Sequence, residues 1–270
     1  PQPYLTPNMS IRISRYLYAI GFVLIFVVSC QPKVVSVSPE AKPEMPSLPA
    51  LFSQLEARQS GIHDVKDFVR TKISGERLNH SFRQALLVKG NEAIRVDTYN
   101  LFRQVLGVLI YEGGKTLMYD PGENRVVYGQ EVWDIMHRVM GTHIDFREYI
   151  SVFSGGIPRF SYLQAKVATW NADQTIYRIE TIDRETGEQV DIEIDAYTLL
   201  PKSVTRIRGT REIYKAHWDD YQKVGQWDFA HKILIELTDR NETVSVKYSD
   251  PVINQGLAPD AFQFASDIVN

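Results

Sequence analysis

The sequence predicts a mainly β protein with an α lid: a curved antiparallel sheet or incomplete β-barrel covered by about three helices. Three observations carry that prediction. After Gly61, apolar and polar residues alternate with period two over most of the chain, as in Val190-Asp191-Ile192-Glu193-Ile194-Asp195, so each strand has one apolar and one wet face. The runs are joined by short turn-forming stretches such as Asp120-Pro121-Gly122-Glu123-Asn124, which link neighbouring strands antiparallel. Helical spacing is confined to a few places. A meander of roughly ten or eleven strands curls rather than staying flat, and only those helices can cover its concave apolar face.

The elements follow in chain order. Residues 1–8 precede the first methionine, Met9, and read as upstream sequence. Arg12 and Arg15 then lead into an apolar run from Tyr16 to Val28, with Ser29 before Cys30. This is the layout of a secretory signal, and the run is shorter than the ~20 residues a membrane-spanning helix needs. Val27-Val28-Ser29-Cys30 resembles a bacterial lipobox, which implies cleavage before Cys30 and acylation of its thiol and new amino terminus. Several acyl chains anchor stably where a single chain binds reversibly. Gln31, where an aspartate would imply retention in the inner membrane, points to a lipid-anchored, periplasm-facing place in the outer membrane. Residues 31–49 are proline-rich without hydrophobic period, a semi-stiff tether. The expected partition is therefore 1–29 for upstream residues and signal, 30–46 for lipidated cysteine and tether, 47–264 for the folded domain and 265–270 for a tail.

Leu48, Leu51, Phe52 and Leu55 have helical spacing over 48–57, with Ser47 as N-cap and Pro49 in the first turn. Strands are expected at 65–73, 81–88, 93–99, 104–111, 116–119 and 125–128. Val132, Ile135, Met136 and Val139 then predict a helix, as do Phe146, Tyr149, Ile150 and Phe153; Asp145 and Glu148 resemble a capping box for the second. Gly155-Gly156-Ile157-Pro158 ends it. The remainder reads as strand again, clearest at 190–195, 233–237 and 244–248.

The formal net charge is −3 and no basic block occurs, which argues against nucleic acid as partner. Gly113-Gly114-Lys115-Thr116 ends like a phosphate-binding loop, but the required earlier glycine is Leu109 and no helix follows; a hairpin turn is expected instead. The six histidines have no HExxH spacing, GxSxG is absent, and no nucleophile is paired with a base. Asp191, Glu193 and Asp195 should face water. The chain is expected to be no enzyme and to take no cofactor or metal.

The stripe Trp133, Met136, Met140, Phe146, Tyr149, Phe153 is of a kind that most often forms core. Its functional reading is a lid over an acyl-chain cavity, since methionine fits irregular apolar ligands. Phe68, Ile192 and Ile235 are assigned to the sheet wall of that cavity. In Asp97-Thr98-Tyr99-Asn100-Leu101-Phe102-Arg103-Gln104, Leu101 and Phe102 stand between turn residues, and exposed apolar residues at a turn mark a contact site unless they fold under the sheet.

Ile94-Arg95-Val96-Asp97, Val105 to Ile110 and Leu117-Met118-Tyr119-Asp120-Pro121 resemble the early strands of LolB-like outer-membrane lipoproteins of the LolA/LolB superfamily. Leu257-Ala258-Pro259-Asp260-Ala261-Phe262 resembles that superfamily's terminal strand, and the lipobox and tether fit the LolB branch. The resemblance implies an unclosed barrel lidded by helices and an apolar cavity for acyl chains. It also implies a partner, a periplasmic carrier protein from which lipoproteins are taken for insertion into the outer membrane. Leu101 and Phe102 occupy the loop that carries an exposed apolar residue in the family, although Tyr99-Asn100-Leu101-Phe102-Arg103-Gln104 departs from its usual Pro-Leu-Gly. Against this lipid-binding reading stands a structural or assembly lipoprotein whose apolar face is only core.

Overall fold

The computed structural model describes residues 44–76, 79–140, 149–238 and 240–264, with the side chains of 137–140 outside the description. The lipobox with Cys30, the capping pair Asp145 and Glu148, Phe146, the side chain of Met140 and the tail 265–270 lie outside the described residues.

One continuous antiparallel sheet dominates, curved and open. The first strands are β1 (Asp64–Ser74), β2 (Asn79–Lys89), β3 (Ala93–Tyr99), β4 (Val105–Glu112), β5 (Lys115–Asp120) and β6 (Arg125–Tyr128). The later ones are β7 (Leu163–Trp170), β8 (Ile176–Asp183), β9 (Gln189–Asp195), β10 (Pro201–Arg208), β11 (Arg211–Val224), β12 (Trp227–Leu237), β13 (Glu242–Tyr248) and the short β14 (Val252–Ile253). The order across the sheet is β6-β5-β4-β3-β2-β1-β13-β12-β11-β10-β9-β8-β7, with β14 beside the start of β1. The expected single meander is thus two meanders, joined where β1 pairs with β13, Val69 opposite Tyr248 and Ile73 opposite Val244. The chain between β6 and β7 connects the two outermost strands of the sheet.

Local chemistry explains the turns. Gly113 and Gly114 both take positive φ, 57° and 79°, between β4 and β5, the geometry of a tight hairpin that β-carbons disfavour. In the β5–β6 turn, Asp120 Oδ1 accepts from Gly122 N at 2.8 Å.

Helix α1 (Leu48–Gly61) opens with Ser47, whose hydroxyl accepts from Ala50 N at 3.4 Å, and it buries Leu51 and Leu55. It runs past the expected 57 to Gly61, where a β-carbon would come within 2.4 Å of the Trp227 ring. Helix α2 (Gln130–Met140) lies on the β5–β6 end of the sheet, burying Val132, Ile135 and Met136. Helix α3 (Ile150–Phe153) is a single turn, shorter than the 146–153 pattern implies among the described residues. The sheet holds it: Trp218 Nε1 donates to Val152 O at 3.2 Å, and Tyr248 OH donates to Phe153 O at 2.6 Å. Gln59 of α1 fastens the following loop, accepting from Ile157 N at 3.0 Å and donating to Ile157 O at 3.2 Å.

Two expectations are corrected. Residues 257–264 form turns rather than a terminal strand. They lie against the outer, convex face, where Ala261 and Phe262 pack with Ala93, Val108, Ile110 and Tyr119. Arg95 Nη1 donates to Ala261 O at 2.9 Å, using a carbonyl that a ladder would otherwise take, while Pro259 has no N–H to give one. The outer face is therefore covered at Ala93, Val108, Ile110 and Tyr119, and β4 is buried on both sides through Val108, Leu109 and Ile110. Asp191 does not face water either. It is 3% exposed, and Arg178 Nη2 and Gln189 Nε2 reach its carboxylate at 2.5 and 2.8 Å.

Candidate functional site

Strict alternation decides what faces inward. The registers place Thr71 opposite Phe82, Val69 opposite Gln84, Gln84 opposite Thr98, and Thr98 opposite Gly107, so these residues share the concave face. Above them is a cavity of about 260 Å³. Its floor is Val69, Thr71 and Ile73 of β1, Phe82, Gln84 and Leu86 of β2, Ile94, Val96 and Thr98 of β3, Gly107 and Leu109 of β4, Met118 of β5, and Val244 and Val246 of β13. Met136 of α2 and Phe153 of α3 reach in from the covering segments.

The cavity is almost wholly apolar. Gln84, buried, spends its amide on Thr98, Nε2 to Oγ1 at 3.0 Å. About 150 Å³ of apolar-lined space already admits benzene. Leu106, the extra residue of the bulge at Thr98/Tyr99, lines the cavity and is also half exposed, so the cavity reaches the surface at the β3–β4 end.

The β3–β4 loop stands at that end. Asn100 organises it: its Oδ1 accepts from Phe102 N at 2.8 Å and Gln104 N at 2.9 Å, and its Nδ2 donates to Gln104 Oε1 at 2.8 Å. Arg103 takes φ of 62°. These bonds hold Leu101 and Phe102 outward, 78% and 83% exposed. Two large apolar side chains thus stand in water, on a loop with its own hydrogen-bond framework, and are not part of the core.

The remaining expected cavity residues are dispersed. Met136 and Phe153 line the cavity, whereas Trp133 packs half-buried beside α2's contact with the sheet. Tyr149 is buried edge-on against Tyr214, ring centroids 5.0 Å apart. Ile192 and Ile235 are fully buried on the concave face and do not line the cavity, although Ile235 stands opposite its wall residue Val244. Phe68 is a correction: it is 68% exposed on the outer face, because Val65, Val69, Thr71 and Ile73 take the inward parity of β1. Val96, Leu109 and Met118, which the sequence reading did not assign to the site, line it by the same alternation.

The β8–β12 half of the sheet carries the strongest electrostatics. Arg206, nearly buried, donates from Nη2 to Asp183 Oδ2 at 2.7 Å and pairs through Nε with Glu188; Arg159 Nε reaches the same Asp183 oxygen at 2.7 Å. Burial alone would raise the Asp183 pKa, but the two guanidinium groups outweigh it and hold the carboxyl well below the usual range. Toward the other end of β11, burial pushes the Tyr221 phenol up, opposed by the Arg58 charge. Among the described residues no group of three or more His, Cys, Asp or Glu is placed to hold a metal.

No protein-family profile and no curated protein matches the chain. Solved structures do. A LolA superfamily protein from Nitrosomonas europaea is 11% identical with a TM-score of 0.56, covering 82% of this chain and 99% of its own. A putative outer membrane lipoprotein-sorting protein domain from Vibrio parahaemolyticus is 13% identical with a TM-score of 0.56, covering 82% and 97%. A DUF1329 family protein from Desulfovibrio piger is 13% identical with a TM-score of 0.59, covering 82% and 97%. At such identities the likeness is one of fold: a mainly β, open curved sheet of the LolA-like kind.

Proposed function

We propose that the protein is a lipid-binding lipoprotein of the bacterial envelope that receives an acyl chain in the cavity beside α2 and releases it to the outer membrane past the 100–104 loop. The carrying observation is one juxtaposition: a largely apolar cavity of about 260 Å³ that opens beside Leu106, next to a loop that holds Leu101 and Phe102 in water. A cavity lined this way offers an acyl chain apolar contact and no competing hydrogen bonds, worth about 0.8 kcal/mol per buried methylene. The likeness of fold to a protein named for lipoprotein sorting supports the reading. Cys30 is the anchor in this proposal, its acyl groups fixing the domain near the membrane it serves, and a periplasmic carrier is the upstream donor.

Native mass spectrometry of protein purified in mild detergent tests it. An added mass matching an acyl ligand, displaced by a fluorescent fatty acid, is the expected result. A ligand-free protein that takes up no fatty acid would favour an assembly lipoprotein with a closed core. Cys30→Ala should abolish metabolic labelling by radioactive fatty acid; normal labelling of that variant would remove the anchor from the proposal.

A further inference from the structure

On the outer face, cations stand directly opposite one another across adjacent strands. Lys247 of β13 faces Arg70 of β1, and Arg70 faces Arg83 of β2. All three are exposed, and none forms an ion pair among the described residues. Directly opposed like charges destabilise a sheet, so this row has no folding rationale. General basicity does not explain it either, because the chain's formal net charge is −3. Asp97, on the same outer parity in β3, is engaged by Arg95 at 2.8 Å.

The row ends at Tyr99, which faces Arg83, and so runs into the 100–104 loop. Phe68, Arg70, Arg83, Tyr99 and Arg103 border one groove of about 480 Å³, which also reaches the cavity-lining Val69 and Gln84. Exposed aromatic and aliphatic side chains beside unpaired guanidinium groups form the pattern of an interfacial membrane site, where cations meet lipid phosphates and the apolar groups enter the headgroup boundary. We propose that this outer face, from Lys247 to the loop tip, docks on an anionic phospholipid bilayer. The proposal rests on the loop as the delivery end of the cavity, and it turns the Leu106 rim toward the same bilayer.

The test uses the full chain with Cys30→Ala, which removes the sole cysteine, and Phe102→Cys carrying an environment-sensitive fluorophore. The probes are vesicles of phosphatidylcholine with and without phosphatidylglycerol. A blue shift confined to phosphatidylglycerol vesicles and reversed by salt is expected. Arg70→Gln with Arg83→Gln should weaken the response roughly thirtyfold, on the order of a tenfold factor or less per charge, while the melting temperature holds or rises. An equal shift on neutral vesicles, full docking by the double variant, or a melting temperature that falls with docking would overturn the proposal. So would an equal response to polyglutamate, which would assign the face to an acidic protein. Uptake of a fluorescent fatty acid, measured in parallel, separates the two readings: uptake retained without docking sinks this inference alone, and docking without uptake sinks only the cavity.

Discussion

Over β8–β12 the concave face is filled: Ile179, Ile192, Val204, Ala216 and Ile235 are buried in one cluster with Leu51 and Leu55 of α1 and Val152 of α3. Over β1–β5 the same alternation, with Phe82, Val96, Thr98 and Met118 only half-buried, surrounds about 260 Å³ of space. The strands do not differ in pattern. The covering does. Helix α1, helix α3 and the following segment with Ile157 and Phe160 converge on the filled half, and Tyr149, Tyr214, Phe229 and Trp218 supply volume there. Above the cavity, Met136 and Phe153 are the helix side chains that reach in among the described residues. A sheet's alternation thus decides which side is apolar, and the bulk of the covering segments decides whether that side is core or container.

The comparison breaks most visibly at the ion network. Arg206→Met leaves buried Asp183 and half-buried Glu188 short of a partner, and should cost about 3–5 kcal/mol in urea unfolding. A loss under ~1 kcal/mol would mean that the closed half owes nothing to the network. The same network sets acid sensitivity. Asp183 is depressed in the folded state, so its contribution is present above the ordinary aspartate value of about 3.9 and drains away as pH falls through and below it. Arg206→Met should flatten that acid limb.

Ile192→Ala and Ile94→Ala make a matched pair, since both isoleucines are almost completely buried and only Ile94 lines the cavity. The first should fall near the upper end of the ~2–5 kcal/mol range and the second near the lower, because a wall beside space loses fewer contacts. Equal costs would show that the cavity collapses in solution.

Gly107→Leu sharpens the contrast at lower stability cost. A β-carbon there meets Met118 and the Tyr119 carbonyl at an ordinary 3.6 Å, so the new side chain enters the cavity. Stability should change by under about 1 kcal/mol while fatty-acid uptake is lost; a drop of ~3 kcal/mol, typical of overpacking, would mean that the space is not there. Smallest in stability is Leu101→Glu with Phe102→Glu, within about 0.5 kcal/mol for exposed positions. Delivery of bound acyl probe to liposomes should nevertheless stop, since each such side chain is worth about 1.5–3 kcal/mol on entering an apolar phase.

Much of this was legible in the residues. Period-two alternation located β1–β6 closely, and Ser47 with Pro49 fixed the start of α1. Phe68 was misplaced because Phe68 and Val69 are adjacent and both apolar, which leaves the parity of β1 open locally. Arg70 and Lys72, on the parity of Phe68, would have decided it. Ile192 and Ile235 were assigned to the right face, but alternation carries no coordinate across the sheet, so whether they line the cavity was not readable. The role of 257–264 was hidden for a related reason: Val108 and Ile110 beside Leu109 look like a strand with no wet side, and nothing local says what dries the second one.

The pairing of β1 with β13 has a consequence for the order in which the molecule comes into being. Each meander is built from near neighbours in sequence and can assemble from hairpins. The seam joins Val69 to Tyr248, and contacts so distant along the chain are slow to form. Val69, Thr71 and Ile73 stand on one side of that seam and Val244 and Val246 on the other, all five on the cavity wall. The container therefore cannot exist in a nascent chain or in either half alone. It appears only when the first strand meets the last long one, so the acquisition of a cavity is itself the signal that the sheet has been completed.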